Sequence, residues 1–580
     1  MKSWRSYSEK NLPSKESFYN TLTDEGISDE DYIHAKLVWN TFKISNLGEY
    51  TDLYLKTDVY LNYHLDPAFY LTAPSLSFDA MLLKTGVELE LLSDLEIIRL
   101  VQKGVRGGIC LCSTRLARAN NIYMDNYDET KPDSFLLYID CNNLYGYSMC
   151  QSLPVGNFKF LDQHEIDRLR ITNVSDDAEY GFILEVDLLY PEELHCTHND
   201  YSFCAEKFVP PGGKTSKLVP NLYSKYNYVI HYVHLKTCLN HGLILKKIHR
   251  VVTFRQSKFL AEYINLNTEL RKKAETLFQQ DLFKLMNNSV FGKTLEDTER
   301  RVNVKLVNQW QDDTNRTNRT ISAAKLISRP NFHSATIFTE NLVAVQMKPE
   351  RIILDKPIYV GFAVLELSKS HMYQFHYSVI KPHYERKVQL CYTDTDSFIY
   401  EIQTTDVYRD IKQHFLRYFD TSNYASQNQH GLPIMNKKVP GLFKDELGGR
   451  IMTEFVGLRS KLYCIKTESE VIKKAKGIRK NVMKHLNASD YSDVLLNDKI
   501  VRRKNILFKC IKHNIFTQTV NKIALSNADD KRFIFFFFFF FFFFFFFFFL
   551  VIYFRQQIIN IILAHTIYTL KTNIHTKYKK

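Results

Sequence analysis

The alternation of apolar and polar residues predicts a chain in which helices are mixed with short strands. Residues 1 to about 105 place apolar residues at helical spacing, as in 30–42 (EDYIHAKLVWNTF), and 258–290 is typical of a long, charged helical region. Residues 155–250 alternate short strands with turns, and residues 388–402 alternate as two strands do about a polar centre. The pattern therefore predicts a protein that contains both helices and strands.

Acidic residues follow two of the predicted strands. The apolar run 135–139 (FLLYI) ends at Asp140, and 389–400 (QLCYTDTDSFIY) predicts a β-hairpin with Asp394 and Asp396 at its tip. Two acids separated by one residue on an extended chain point the same way, and crowded carboxylates repel unless a cation neutralises them. Mg²⁺ prefers hard oxygen ligands of this kind. The alternative interpretation of each acidic segment is a solvated turn.

The segment 281–293 predicts a helix with two different faces. Lys284, Asn288 and Phe291 are four and three residues apart and share one face. That face offers a cation, an amide and an aromatic ring, which suit a triphosphate and a stacked base. An ordinary amphipathic helix with a solvated lysine is the alternative. The face expected to pack inward carries Leu282, Leu285, Met286 and Ser289.

The distribution of charge indicates the kind of partner. The 580 residues are 45% hydrophobic and 24% charged, which is ordinary for a globular protein of several domains. Of the formal net charge of +13, residues 434–533 contribute +12, from 22 Lys plus Arg against 10 Asp plus Glu. Such a basic segment favours a polyanionic partner. The ten cysteines include no C-x-x-C pair, which favours a reducing compartment, and the N-terminus lacks a secretory signal.

One segment breaks the globular pattern. Phe535 to Phe549 is a run of fifteen phenylalanines, and 533–554 carries no charge over 22 residues. As a helix it would be about 33 Å long, enough to cross the roughly 30 Å apolar core of a bilayer. However, a homopolymer specifies no unique packing, and the Ile-, Asn- and Lys-rich segment after it is typical of translated AT-rich non-coding sequence. We favour a non-native tail over 534–580 and keep a membrane anchor as the alternative.

Read in order, four motifs resemble those of the family B DNA polymerases. Asp140 to Gly146 (DCNNLYG) resembles the first motif, D-x-x-S-L-Y-P, and Lys284 to Gly292 resembles the second, K-x-x-x-N-S-x-Y-G, with Phe291 in place of tyrosine. Tyr392 to Ser397 resembles the third, Y-x-D-T-D-S. Lys461 and Tyr463 match a K-x-Y motif.

Further residues resemble the protein-primed branch of that family, found in Polinton or Maverick transposons, viruses and linear plasmids. They are Gly107-Gly108 after a basic residue and 473–482 (KKAKGIRKNV). The resemblance implies an α+β right-hand polymerase, with an antiparallel palm sheet and acidic hairpin, helical fingers and a basic thumb. The regions it implies are 1–104 (exonuclease remnant and connector), 105–160 (palm start), 161–250 (first insertion), 251–292 (fingers), 293–345 (second insertion), 346–433 (palm), 434–533 (thumb) and 534–580 (tail).

The resemblance also implies a template-directed nucleotidyltransferase that replicates a mobile element or virus-like DNA. Asp140, Asp394 and Asp396 would be catalytic, and two Mg²⁺ ions, or Mn²⁺, would be held by Asp140, Asp396 and the carbonyl of Cys141. The residues implied in nucleotide binding are Cys141, Tyr145, Arg271, Lys284, Asn288 and Phe291. Those implied in DNA binding are Gly107, Gly108, Tyr392, Thr393, Lys461 and Tyr463. The expected partners are template and primer DNA, deoxyribonucleoside triphosphates and a terminal protein, in the nucleus or cytoplasm.

The N-terminal region departs from the family pattern. Tyr54 and Asp58 resemble the third exonuclease motif, Y-x-x-x-D, but only 53 residues precede Tyr54 and two further acidic motifs are missing. A pair of such residues cannot hold a two-metal proofreading site, so we expect no exonuclease activity and an N-terminal truncation. Two alternatives stay open: a catalytically decayed DNA-binding remnant, and a membrane-anchored basic protein.

Overall fold

The computed structural model describes residues 8–19, 26–55, 63–210, 215–310, 321–339, 341–511 and 514–529. The chain divides into two units, one of Met1–Ala205 with Pro220–Asn527, and one of Glu206–Val219 with Ala528–Lys580. The helices of the described residues are α1 Asp29–Thr41, α2 Leu47–Leu55, α3 Ala73–Thr85, α4 Leu95–Gly104, α5 Leu144–Met149, α6 Gln163–Arg168, α7 His195–His198, α8 Tyr232–Asn240, α9 Ala261–Lys273, α10 Leu277–Thr294, α11 Ala323–Ile327, α12 Ile358–Gln374, α13 Lys381–Tyr384, α14 Val407–Asp410, α15 Lys480–Met483 and α16 Ala488–Leu496.

The strands of the described residues form five separate sheets. In chain order they are β1 Cys110–Cys112, β2 Leu116–Arg118, β3 Phe135–Cys141, β4 Leu153–Phe160, β5 Tyr180–Leu189, β6 Glu206–Phe208, β7 Lys217–Val219, β8 Lys225–His231, β9 Ile244–Ser257, β10 Asn303–Val307, β11 Phe332–Thr339, β12 Leu342–Met347, β13 Val388–Asp394, β14 Ser397–Ile402, β15 Phe419–Asp420, β16 Phe443–Asp445, β17 Met452–Arg459, β18 Leu462–Thr467, β19 Val471–Ala475, β20 Val501–Ile511 and β21 Asn514–Leu525.

The largest sheet has ten strands, in the main order β1-β13-β14-β3-β17-β18-β19. The predicted strand before Asp140 is β3, and the predicted hairpin is β13–β14, so both sequence predictions are confirmed. Because β16 to β19 continue this same sheet, the boundary predicted at 434 between palm and thumb does not coincide with an edge of the sheet. Among the described residues after 434, the hairpin β20–β21 forms a separate sheet of two strands.

A second sheet has the order β4-β9-β5-β8. It extends from Leu153 to Ser257, wider than the first insertion predicted at 161–250, because β4 pairs with the far end of β9. The central helix α12 packs against β4, β8 and α8 from this region and against α5 beside the large sheet. Fourteen of its residues are buried, so α12 forms a common core for both sheets. The three strands β10 to β12 form a smaller sheet near the predicted second insertion.

The predicted helical region 258–290 is two helices, α9 and α10. The break follows from the capping of α10: the Thr276 side chain accepts a hydrogen bond from the Gln279 backbone, and the Gln279 side chain accepts one from the Thr276 backbone. Met286 and Ser289 are buried as predicted. Leu285 is not, because it lies on the solvent side of α10 and is 45% exposed.

The N-terminal region is helical through α1 to α4, as predicted. Tyr54 lies in α2, whereas Asp58 and the phenylalanine tract lie outside the described residues. Across the part of the chain that the structure describes, no helix is both long enough and apolar enough to cross a bilayer. The β6–β7 hairpin is the described part of the smaller unit.

Two histidines in the larger unit are buried in a neutral state, and this predicts acid sensitivity. Burial lowers the pKa of His198 to about 4 and that of His231 to about 3. In the unfolded chain these histidines bind a proton near pH 6.5, whereas in the folded chain they stay neutral to a lower pH. The free energy of unfolding therefore falls as the pH drops from about 6.5 toward 4. His198 alone should contribute about 3 kcal/mol to that loss.

Urea denaturation across this pH window measures the effect. A His198→Gln variant should show a flatter dependence on pH, because glutamine binds no proton. An equally steep dependence in the variant would contradict the assignment to His198.

Candidate active site

Strand pairing brings the three predicted acids to one end of the large sheet. Asp140 lies opposite Ser397 in the β3–β14 register, and the Cys141 backbone N–H donates to the Asp396 carbonyl oxygen at 2.7 Å. Asp394 ends β13, so the two acids of the hairpin flank the turn at Thr395. All three carboxylates are half-buried and line one cleft.

The carboxylates at this end of the sheet are electrostatically crowded. Burial, followed by the charge of Asp396, raises the pKa of Asp140 to about 8. Burial also raises the pKa of Asp396 to about 6, and Asp394 adds to that increase. Lys284 opposes the increase at both acids. A site that disfavours two adjacent negative charges this strongly is one in which a bound cation would be stabilised.

Asp394 has a different environment, in which its charge is paired within the protein. Lys461 Nζ lies 3.1 Å from its Oδ2, and the Tyr392 hydroxyl donates to the same oxygen at 3.4 Å. The Lys461 backbone N–H in turn donates to the Tyr392 hydroxyl at 3.0 Å. Asp394 therefore anchors the β17–β18 turn to the acidic hairpin, and it lines the cleft together with Asp140 and Asp396.

The cleft has a volume of about 630 Å³. Besides the acids, the cleft has a basic wall, formed by exposed lysines from β19, the turn after it and α15. The lining includes Tyr138, Asp140, Tyr145, Asp394, Asp396, Lys461, Tyr463, Lys474, Lys476 and Lys480. This arrangement suits a polyanion whose reacting end must reach a pair of carboxylates.

Some of the residues predicted for nucleotide binding lie beside the acids, and Arg271 makes other contacts. The rings of Tyr145 and Phe291 stack at 4.4 Å with an interplanar angle of 24°, which joins α5 to α10 beside the acids. Lys284 is exposed on the same helix and acts on both Asp140 and Asp396. Arg271 interacts instead with Asp281 and Lys438, so the described contacts do not bring its charge to the carboxylates. Asn288 is half-buried one turn after Lys284.

Three of the residues predicted to bind DNA are buried. Tyr392 and Thr393 are each 1% exposed, because β13 lies between β1 and β14 within the sheet. Their side chains are therefore covered, and DNA binding by these two residues stays a prediction. Tyr392 supports Asp394 and the Lys461 turn. Tyr463 is also buried, with its hydroxyl 3.4 Å from that of Tyr138 at the cleft. Lys461 is exposed.

The Gly107-Gly108 segment supports the acidic hairpin. Thr395 adopts a left-handed conformation with φ of 65°, and its backbone N–H donates to the Ile109 carbonyl oxygen at 2.8 Å. A Cβ on Gly108 would collide with the Thr395 side chain, whereas one on Gly107 would meet nothing within 4 Å. Only glycine fits at 108 while the turn keeps this position.

The sequence did not indicate two charged neighbours of Asp140. Lys444 lies opposite Asp140 in the β16–β3 register, and its Nζ pairs with Glu446 Oε1 at 2.6 Å. Burial alone would lower the pKa of Lys444, but Glu446 and Asp140 outweigh burial and raise it. The strand that carries Lys444 is some 300 residues away from β3 in the chain, so no local pattern marks the contact. Lys474, Lys476 and Lys480 belong to 473–482, whose resemblance to the protein-primed branch does not indicate a place in this cleft.

The donor set is compatible with divalent cations. Among the described residues, no group of three or more His, Cys, Asp and Glu side chains is arranged to hold a metal ion. A pair of carboxylates is nevertheless sufficient for Mg²⁺, which commonly takes one or two carboxylates together with waters and substrate phosphates. Asp140 and Asp396 form such a pair, and the cleft beside them is open to a phosphate-bearing ligand.

Comparison with known proteins gives a family and a fold. The family model described as DNA polymerase type B, organellar and viral, matches residues 30–382, more than half of the chain. No curated protein matches the chain. A structure of phi29 DNA polymerase complexed with primer-template DNA and incoming nucleotide substrates is 14% identical, with a TM-score of 0.51, over 86% of this chain and 73% of that one. A post-translocation binary complex of the same polymerase is also 14% identical, with a TM-score of 0.49, over 90% and 77% of the two chains.

Proposed function

The chain belongs to the organellar and viral type B DNA polymerases, and from this premise we propose that it extends a primer 3′-hydroxyl on a DNA template by cation-assisted phosphoryl transfer. The family match confirms the resemblance to the protein-primed branch and the class of DNA-directed DNA polymerase. The α+β polymerase fold expected from that resemblance is confirmed by the likeness to phi29 DNA polymerase. The observation that carries the mechanism is the meeting of Asp140 and Asp396 at the ends of paired strands.

Asp140 and Asp396 would hold the divalent cations, Mg²⁺ or Mn²⁺, with the Cys141 carbonyl oxygen as a further ligand. Such cations, when bound, promote ionisation of the primer hydroxyl and offset the charge on the leaving pyrophosphate. The deprotonated 3′-oxygen forms its bond to the α-phosphorus as the bond from that phosphorus to the pyrophosphate oxygen breaks. Asp394, already paired with Lys461, would keep the hairpin and the primer-side turn in register.

Lys284 is the described cation on α10 that acts on both acids, so it would neutralise the triphosphate as it enters. Asn288, one turn further along, would reach the same phosphates. The stacked rings of Tyr145 and Phe291 would form the platform beneath the sugar and base. Arg271, which interacts with Asp281 and Lys438, would add a further positive charge for the triphosphate.

The basic wall of the cleft would bind the primer and template strands. Lys461 lies at the β17–β18 turn, and Lys474, Lys476 and Lys480 line the same cleft. Contacts of this kind are independent of sequence and weaken as salt is added. A terminal protein would supply the first hydroxyl, as the protein-primed branch implies.

Primer extension by the full chain tests the proposal. A labelled primer annealed to a longer template should be extended when Mg²⁺ and all four deoxyribonucleoside triphosphates are present, and not when a chelator is added. Salt-sensitive DNA binding without any extension, with either Mg²⁺ or Mn²⁺, would contradict the proposal and indicate a DNA-binding protein that no longer catalyses. A separate assay on a 3′-labelled single strand would test the expected lack of exonuclease activity.

A further inference from the structure

A buried ionic centre surrounds Glu366 in the middle of α12. The Glu366 carboxylate is fully buried, and its Oε1 accepts from Lys369 Nζ at 3.0 Å. Its Oε2 lies 2.9 Å from His234 Nδ1 and accepts from the His231 backbone N–H at 3.4 Å. Burial alone would raise the pKa of Glu366, but Lys369 and His234 outweigh burial and hold it well below its usual range. The centre is therefore a charged one, tied to the β8–α8 region on one side.

On its other side the centre reaches the main chain that leads to the acidic hairpin. Lys369 Nζ donates to the Arg106 carbonyl oxygen at 2.9 Å. The Arg106 side chain is itself buried, donates to the Val229 carbonyl oxygen at 2.8 Å and lies 3.7 Å above the Tyr228 ring. The backbone at Arg106 is thus held both by its own side chain and by Lys369.

Three of the four residues after Arg106 contact the acidic hairpin. Gly108 lies against the Thr395 side chain so closely that no Cβ fits between them. Ile109 accepts the hydrogen bond from the Thr395 backbone N–H, and Cys110 lies opposite Asp394 in the β1–β13 register. A displacement of the backbone at 106–109 would therefore be transmitted to the turn between Asp394 and Asp396.

We propose that Glu366 is a positioning residue that acts on the catalytic turn through Lys369 and the Arg106 carbonyl. The inference rests on the proposed function, because it concerns the geometry of the same acids. Glu366 touches neither the cleft nor the acids. It holds the Lys369 ammonium in place, Lys369 fixes the segment 106–109, and that segment sets the position of Thr395. Small displacements of reacting groups cost large factors in rate, up to about 100-fold for about 1 Å.

Two variants separate this role from ordinary stabilisation. Glu366→Gln leaves Lys369 without its carboxylate partner, and we expect it to lose stability as well as rate. The double variant Glu366→Gln with Lys369→Met removes the buried carboxylate together with its ammonium partner, and such replacements often preserve stability. It still removes the contact to the Arg106 carbonyl. We expect its melting temperature to return toward that of the wild type while its rate does not recover.

The measurement is single-turnover insertion of one nucleotide by the full chain, well below the melting temperature of every variant. For both Glu366 variants we expect the maximal insertion rate to fall about 10- to 100-fold, with the apparent affinities for nucleotide and primer-template within about twofold of the wild type. The matched control is Asp200→Asn, which also removes a buried carboxylate that contacts one lysine and one histidine, Lys381 at 2.9 Å and His376 at 3.8 Å. It should lose stability but keep its insertion rate.

If the wild-type chain is active, any one of three outcomes would overturn this inference and leave the proposed function standing. They are a double variant that recovers rate together with stability, an Asp200 variant that loses rate to the same extent, and Glu366 variants that fail to fold, since the centre would then serve the fold itself. A wild-type chain that inserts no nucleotide would instead overturn the proposed function, and this inference with it.

Discussion

Replacing Asp396 with asparagine should lower the rate of nucleotide incorporation by about 10³-fold or more, while binding of primer-template DNA changes little. The substitution keeps the size of the side chain. It also keeps the backbone hydrogen bond that joins the hairpin to β3, in which the Asp396 carbonyl oxygen accepts from the Cys141 N–H. It removes one of the two carboxylates that we propose hold the divalent cations, Asp140 and Asp396. An amide oxygen is a weaker ligand for a divalent cation, so the loss should fall on the chemical step.

Primer extension and DNA binding, measured on the same preparations, check this expectation. Glu401→Gln is a matched control, because it makes the same acid-to-amide change on the same hairpin, where Glu401 lies opposite Gln389 and away from the tip. Its rate should match that of the wild type. If Asp396→Asn retained rapid incorporation, Asp396 would not serve the reaction and the proposed mechanism would fail. If Glu401→Gln lost as much activity, the effect would reflect damage to the hairpin.

The acidic hairpin was predictable because everything that defines it is local. Two apolar strands flank a polar centre within residues 389–400, and the pairing of β13 with β14 follows from that pattern alone. Asp140 was predictable for the same reason, since it ends an apolar run. That the two segments are neighbours came from the order of family motifs, because the pairing of β14 with β3 joins strands far apart in the chain.

The features of the site that the sequence did not predict depend on contacts between segments that lie far apart in the chain. Lys444 belongs to a three-residue strand, and its place opposite Asp140 depends on pairing with β3. The burial of Tyr392 and Thr393 depends on β1, a short strand that covers one side of β13. The exposure of Leu285 depends on which side of α10 the rest of the chain covers. A periodic pattern identifies an element and its faces, but a neighbour that lies far away in the chain decides which face is covered.

The second large effect that we expect is a loss of discrimination between deoxyribonucleotides and ribonucleotides when Tyr145 is replaced. Its ring stacks on Phe291 at 4.4 Å, and it lines the cleft together with the acids. Burial, together with Asp396 and Asp394, raises the pKa of its hydroxyl to about 12, so the side chain stays neutral. In the proposed function this ring lies beneath the sugar, where a 2′-hydroxyl would collide with it. A rigid ring held by a second ring is well suited to such exclusion.

Tyr145→Ala should therefore lower the discrimination against ribonucleotides by about 100-fold, mainly by raising ribonucleotide incorporation. Tyr145→Phe is the matched control: it keeps the stacked ring and loses only the hydroxyl, so discrimination should stay within about threefold of the wild type. The measurement is the ratio of kcat/KM for a deoxyribonucleotide and its ribonucleotide on one primer-template. If the alanine variant discriminated as well as the wild type, the ring would not form a wall of the sugar site. If the phenylalanine variant lost discrimination, selection would depend on the hydroxyl, and the steric explanation would be wrong.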